Sequence, residues 1–296
     1  PEAAASVGEG EASQATVVDS DKPLARALRE ARDALGARQV VVALPLSRLL
    51  VRVLRLPVEV KDELLSAVAL QMDKLSPFPG EELSVGCEVL SEGDEHLWVF
   101  AAAMPLVVSD ELGSALNEAR LHVVRTDVSA LGWFRSLCGP LQLAQPGRRV
   151  VLMDPDAGWD LLVVDHGIPV LARGLGTVDE PAALARDVML SLFNAELEAG
   201  RAAVSEVLVI SAQAPTDEWL AGLQDLLGLP VRHRALPSLD GGVEGVAVRT
   251  GEGAALDLTP QAWRDEVREA RTRKRVLTGV AVAAAVWALF MAVLFS

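Results

Sequence analysis

Tyrosine is missing from this 296-residue chain, and cysteine occurs only twice. Cys87 and Cys138 lie far apart, in no Cys-x-x-Cys or Cys/His spacing. That leaves no framework for disulfides or zinc and reads as two buried thiols in a reducing compartment. The four histidines, His96, His122, His166 and His233, are dispersed without metal-ligand spacing. No Gly-x-x-x-x-Gly-Lys-[Ser/Thr] phosphate loop occurs, which excludes a Walker ATPase, and no Gly-x-Ser-x-Gly nucleophile elbow occurs either. Positive charge is scarce: 27 Lys and Arg against 41 Asp and Glu give a net charge of −14. An acidic surface repels phosphate backbones, so nucleic acid is disfavoured, and a protein partner or plain solubility suits the charge better.

What the sequence does have is a charge-free run near its end. Val276 to Phe295 reads VLTGVAVAAAVWALFMAVLF, and just before it stand Arg268, Arg271, Arg273, Lys274 and Arg275. About 20 apolar residues at a rise of 1.5 Å each cover the ~30 Å hydrocarbon core of a bilayer. A basic collar on one side keeps that side cytoplasmic. A buried helix of a large soluble domain can also be apolar all round, but a run of this length with a cationic block on one side only reads as a membrane span. The expectation is a cytoplasmic part of about 260 residues, enough for one large domain or two lobes, on a carboxy-terminal membrane helix. The chain starts Pro1-Glu2 without Met and stops one residue past the span, which points to a fragment of a longer protein.

Residues 1–20 are small and acidic and read as a flexible or truncated segment. The first lobe is expected over 21–138. It holds a helix over Leu24–Leu35, a central strand at Val40–Leu44, and a strand over Arg48–Leu56 whose Arg48, Arg52 and Arg55 mark a wet face. A helix follows with Val60, Leu64, Leu65, Val68, Met72 and Leu75 on one face, then a hairpin of Leu83–Leu90 with Leu97–Ala103. Ser109 or Asp110 should cap a helix through Ala119, and Asp127 or Ser129 a helix to Cys138, on either side of a strand at His122–Val128. Residues 139–148, rich in Gly, Pro and Gln, read as a linker. The second lobe, 149–260, runs strand, strand, strand, helix, strand, helix, strand, an α/β or mixed-sheet pattern. One helix is then expected from Gln261, basic and juxtamembrane to residue 275 and spanning the membrane over 276–295.

Repeated hairpins with acidic turns followed by a long helix are how actin-like kinases and ATPases hold a nucleotide. Their D-x-G-x-x-[ST] turn offers backbone N–H groups and a hydroxyl to the phosphates. The corresponding turn here is Asp154-Pro155-Asp156-Ala157-Gly158-Trp159. Asp156 stands where the motif wants glycine, and Trp159 where it wants a hydroxyl. A carboxylate a few Å from a phosphate costs several kcal/mol at low effective dielectric. The glycine pair that would approach the adenosine is also missing from Val209-Ile210-Ser211-Ala212-Gln213. Asp154, Asp156, Asp160 and Asp165 could hold a divalent ion, but solvated turn carboxylates are the simpler reading, and Gly174-Leu175-Gly176-Thr177 reads as a plain turn. The turn at Asp154, Asp156, Gly158 and Trp159 is thus a degenerate phosphate loop, and no cofactor or metal is called for.

Three stretches carry a family resemblance: Val41–Pro57 (VVALPLSRLLVRVLRLP), Ala69–Leu83 (ALQMDKLSPFPGEEL) and Leu256–Arg264 (LDLTPQAWR). In that order, ahead of a terminal span, they resemble the bitopic inner-membrane proteins of type II secretion called GspL and the related fusions of the M and N assembly proteins of type IV pili. Asp257 stands where that family usually has Asn. The resemblance implies an α/β, two-lobed actin-like (ribonuclease-H-like) cytoplasmic domain without ATPase activity. It also implies docking of a cytoplasmic secretion or assembly ATPase, contact with other inner-membrane platform proteins, and a homodimer. The placement implied is the bacterial inner membrane with the carboxy terminus periplasmic. The expected function is therefore a non-catalytic scaffold. The alternatives are an active, membrane-tethered actin-like ATP-binding enzyme and a membrane-tethered ligand sensor.

Overall fold

A computed structural model describes residues 23–154, 158–211, 213–235 and 241–265. The residues named above as juxtamembrane and membrane-spanning, Arg268 to Phe295, lie outside the described residues. Among the described residues, no helix is long and apolar enough to cross a membrane.

The first half runs α1 (Pro23–Leu35), β1 (Gln39–Leu44), β2 (Leu50–Pro57), α2 (Leu64–Leu75), β3 (Leu83–Glu92), β4 (His96–Pro105), α3 (Leu106–Glu118), β5 (His122–Val128) and α4 (Ser129–Leu137). β2, β4 and β3 form an antiparallel sheet in that order, while β1 pairs with β5 in parallel. The apolar run of β1 has a simple cause. α1 and α3 pack on one side of the β1–β5 pair and α4 on the other, so both faces are covered. β1 was expected to be a central strand; among the described residues β5 is its one partner.

The second half runs β6 (Arg148–Asp154), β7 (Trp159–Asp165), β8 (Ile168–Gly176), α5 (Pro181–Ala199), β9 (Val204–Ser211), α6 (Asp217–Leu227) and β10 (Val231–Ala235). These strands form one mixed sheet, β10-β9-β6-β7-β8. Its first three strands are parallel, and β7 is antiparallel to both of its neighbours. Alternation sorts the side chains. Val150, Leu152, Leu161, Val163, Val207 and Val209 pack in the core under α5 and α6. Val151, Met153, Leu162, Val164, Leu208 and Ile210 face the other way, into a core shared with Leu46, Val51, Val53 and Phe100 of the first half. The stretch expected as a linker joins that core through Leu143, 1% exposed.

A further helix, α7 (Gly241–Gly251), and the segment after it belong to the second half by sequence order. They pack instead on α4, β1 and β5 of the first. Glycines set that contact. A side chain on Gly245 would collide with the Gly132 carbonyl, and one on Gly242 would come within 2.6 Å of the Trp133 indole nitrogen. α4 and α7 therefore touch backbone to backbone.

Local details differ from expectation in three places. α3 starts at Leu106 because Pro105, extended at φ −61°, launches it directly from β4. Ser109 is inside that helix, donating to the Leu106 carbonyl rather than capping. In α4, Val128 holds the cap position, and Asp127 is engaged elsewhere. The inner face of α2 is the narrow row Leu64, Val68 and Met72, whereas Leu65 and Leu75 are about half exposed.

Gly245→Ala should lower the melting temperature, at a cost of about 1–3 kcal/mol or more for a forced backbone shift. Gly251→Ala, in the same helix with open space around the new methyl, should be neutral or mildly stabilising. Equal effects of the two in thermal denaturation would refute the backbone-contact account.

Candidate functional site

The degenerate phosphate turn joins β6 to β7. Asp154 closes β6 opposite Ser211 of β9, and Asp156 lies outside the described residues. Gly158 sits at φ +112°, and a Cβ there would lie 2.5 Å from the Gly176 carbonyl carbon, so only glycine fits. The next two residues part to opposite faces of the sheet. The Trp159 ring goes to the helix side, where it stacks on Trp219 with centroids 5.9 Å apart and planes at 15°. Its indole N–H donates to the Val178 carbonyl at 3.0 Å, and that of Trp219 to the Asp179 carbonyl at 3.2 Å. Trp159 therefore does more than lack a hydroxyl: its ring pins the β8–α5 connection to α6.

Asp160 points the other way, toward the first half. It is 1% exposed, and its carboxylate accepts the Leu46 backbone N–H at 3.3 Å. The halves touch here, since a Cβ on Gly174 would fall 2.6 Å from the Ser47 nitrogen. Burial pushes the Asp160 pKa up to about 7, with the Leu46 N–H offsetting only part of the shift. The expectation of solvated turn carboxylates thus fails at Asp160. It fails differently at Asp165, which takes a salt bridge from buried Arg148 at 2.8 Å and contacts His166. Burial alone would raise Asp165, but the bonds to Arg148 and His166 outweigh it and hold its pKa low. Among the described residues, no three His, Cys, Asp or Glu side chains converge as a metal site.

The other built feature is the seat of the segment Ala254–Arg264. Leu258 N–H donates to the Thr126 carbonyl at 2.8 Å and its own carbonyl accepts from Ser84 Oγ at 2.9 Å, which ties the segment to β5 and β3. Arg125 donates to the carbonyls of Ala254 and Leu256. The Asp257 carboxylate collects the N–H groups of Thr126 and Thr259, the Thr259 hydroxyl and the Arg264 guanidinium. Gly86 and Gly113 make room: a Cβ on the first would lie 3.0 Å from the Asp257 backbone, and one on the second 3.0 Å from the Trp263 ring. Leu256 and Leu258 are fully buried in the shared core. The third stretch of the resemblance, Leu256–Arg264, is thus a strap bound into the first half.

Arg249 of α7 holds the strap's approach. Its guanidinium, on a residue 7% exposed, donates to Asp127 at 3.2 Å and to both oxygens of Glu88 at 2.8 and 3.1 Å. Burial drives the Asp127 pKa up even against the nearby Arg249 charge. Burial acts to lower the Arg249 pKa, but Glu88 and Asp127 more than reverse it and keep the guanidinium charged. Nothing in the spacing of Glu88, Asp127 and Arg249 along the chain signalled this cluster.

No protein-family model matches the sequence, nor does any curated protein. Solved structures do share the fold. The chain is similar to a structure described as the PilM–PilN type IV pilus biogenesis complex. There the TM-score is 0.61 at 18% identity, over 76% of this chain and 84% of that one. It is also similar to the cytoplasmic domain of EpsL, an inner membrane component of the type II secretion system of Vibrio cholerae. That match has a TM-score of 0.51 at 12% identity, over 81% and 84%. The chain has the actin-like α/β fold of these structures, as the resemblance implied.

Asp160→Asn isolates the cost of the buried carboxylate. Because the folded-state pKa is raised, the protonated acid favours the folded state. Its contribution is fully present below the unfolded value near 3.8 and is lost as pH rises to about 7. The variant should melt higher than wild type at pH 8 and about equally at pH 4; an unchanged difference across that range would overturn the assignment. Arg249→Met strands Asp127 and Glu88 and should cost about 3–5 kcal/mol in chemical denaturation.

Proposed function

We propose that this chain is a non-catalytic scaffold of the inner-membrane platform of a type IV pilus or type II secretion machine. Its actin-like part offers a docking surface to the cytoplasmic assembly ATPase. The segment beyond residue 265 continues through the basic collar into the membrane span, with the amino-terminal part cytoplasmic and the chain acting as a homodimer. The observation that carries this reading is the strap. A docking domain must transmit position or force to whatever follows it. Here the exit segment is held by Arg125, Asp257 and Arg264 and by two buried leucines, not by a loose linker. The fold shared with pilus and secretion components favours the same reading.

The absence of catalysis is part of the proposal, supported by two residues. Asp160 fills the junction of the halves with a buried carboxyl group tied to the Leu46 N–H, not one free to serve a metal or phosphate. Trp159 commits its side chain to a stack instead of a phosphate contact.

The full chain, co-expressed with the assembly ATPase of its own machine, should retain that ATPase through purification. Loss of residues 1–260 should abolish the capture. Asp257→Ala should leave capture intact while loosening the strap, seen as faster amide exchange over 254–265, because each broken bond to the carboxylate is worth about 1.5–3 kcal/mol. If the full chain retains no motor or platform component, the scaffold reading fails. Micromolar binding of ATP with Mg²⁺ in calorimetry would favour the active-enzyme alternative instead.

A further inference from the structure

Helix α5 is apolar on two sides. Inward, Leu184, Val188 and Ala195 are buried under the sheet. Outward, Met189, Leu190, Phe193 and Leu197 are 56%, 48%, 59% and 70% exposed. Their spacing keeps them within about a third of the helix circumference. Four side chains of this size leave on the order of 400 Å² of contiguous apolar surface, the scale at which patches mark interaction sites. α6 packs against α5, but this stripe stays exposed.

The charges at the two ends of the stripe indicate what covers it. Arg186 stands toward its amino end and Glu196 toward its carboxy end. Within its own chain Glu196 is held only loosely, by an Arg201 that is 92% exposed at 3.7 Å. Two such helices laid antiparallel set Leu190 of each against Phe193 of the other. The same register brings Arg186 of each alongside Glu196 of the other. A parallel copy would set like charge against like. The stripe is therefore complementary to itself under a two-fold axis, the requirement for an isologous contact.

We propose that the outward face of α5 is an interface between two copies of this chain, packed antiparallel. The proposal takes the pairing of copies from the scaffold reading and adds where they meet. One helix pair buries less than the ~800 Å² per partner of a standard stable interface, so the dimer forms weakly and reversibly in solution. Confinement of both copies to one membrane would raise their effective concentration and drive the contact.

Sedimentation velocity on the full chain in mild detergent, from about 1 to 100 µM, tests this. A reversible monomer–dimer shift is expected. Phe193→Glu should abolish it, and Arg186→Glu or Glu196→Arg alone should weaken it several-fold. The double reversal Arg186→Glu with Glu196→Arg should restore it, an outcome that misfolding cannot mimic. A chain that stays monomeric throughout overturns the proposal, as does a double reversal that fails to restore the dimer. A dimer that persists in Phe193→Glu also overturns this interface while leaving the scaffold reading standing.

Discussion

The guanidinium of Arg249 is buried between two carboxylates that come from different strands, Glu88 on β3 and Asp127 on β5. An ion cluster taken out of water is a poor source of stability but an exacting constraint on arrangement. It is satisfied only when α7 lies in one place relative to both strands. With α7 so fixed, the strap leaves Gly251 already aimed along β5, where Arg125 and Thr126 receive it. The glycine contacts between α4 and α7 supply the closeness, and the charges supply the register.

The second half is held by different means. Its sheet is sealed by alternating aliphatic side chains on both faces, and Arg148 pairs with Asp165 at the sheet's end. Among the described residues the buried carboxyl of Asp160 has no salt-bridge partner. That asymmetry has a functional sense. The first half fixes the exit of the chain, and its polar ties are specific. The second half presents α5 to the outside, and its outward stripe stays free to be covered by something else.

Much of this was legible in the sequence, and the failures have physical causes. The succession of strands and helices along the second half follows from short apolar runs with acidic turns, though their order in the sheet does not. Trp159 reads in the sequence as a misfit to a phosphate turn, whereas Asp160 reads there only as one of four solvated turn carboxylates. Their opposite orientations follow from strand alternation, but the buried state of Asp160 depends on Leu46, remote in sequence. The same remoteness hid Arg249, whose partners lie on two separate strands. Ser109 and Asp110 read as caps one turn too late for α3 because a proline that launches a helix resembles one that merely ends a strand. Periodicity marked α5 as a helix without revealing its second apolar face, since a helix apolar on both sides has little directional signal to read.

The absence of tyrosine, met first as a gap in composition, has an optical consequence. Near-ultraviolet absorption and emission belong to tryptophan without a phenol background, and the tryptophans among the described residues are divided between the halves. Trp133 lies against α7 and Trp263 closes the strap, whereas Trp159 and Trp219 face each other at 5.9 Å in the second half. Stacked indoles at that separation couple their transitions, which adds a contribution to the circular dichroism that isolated indoles lack. The molecule thus carries its own label for the integrity of the β6–β7 turn.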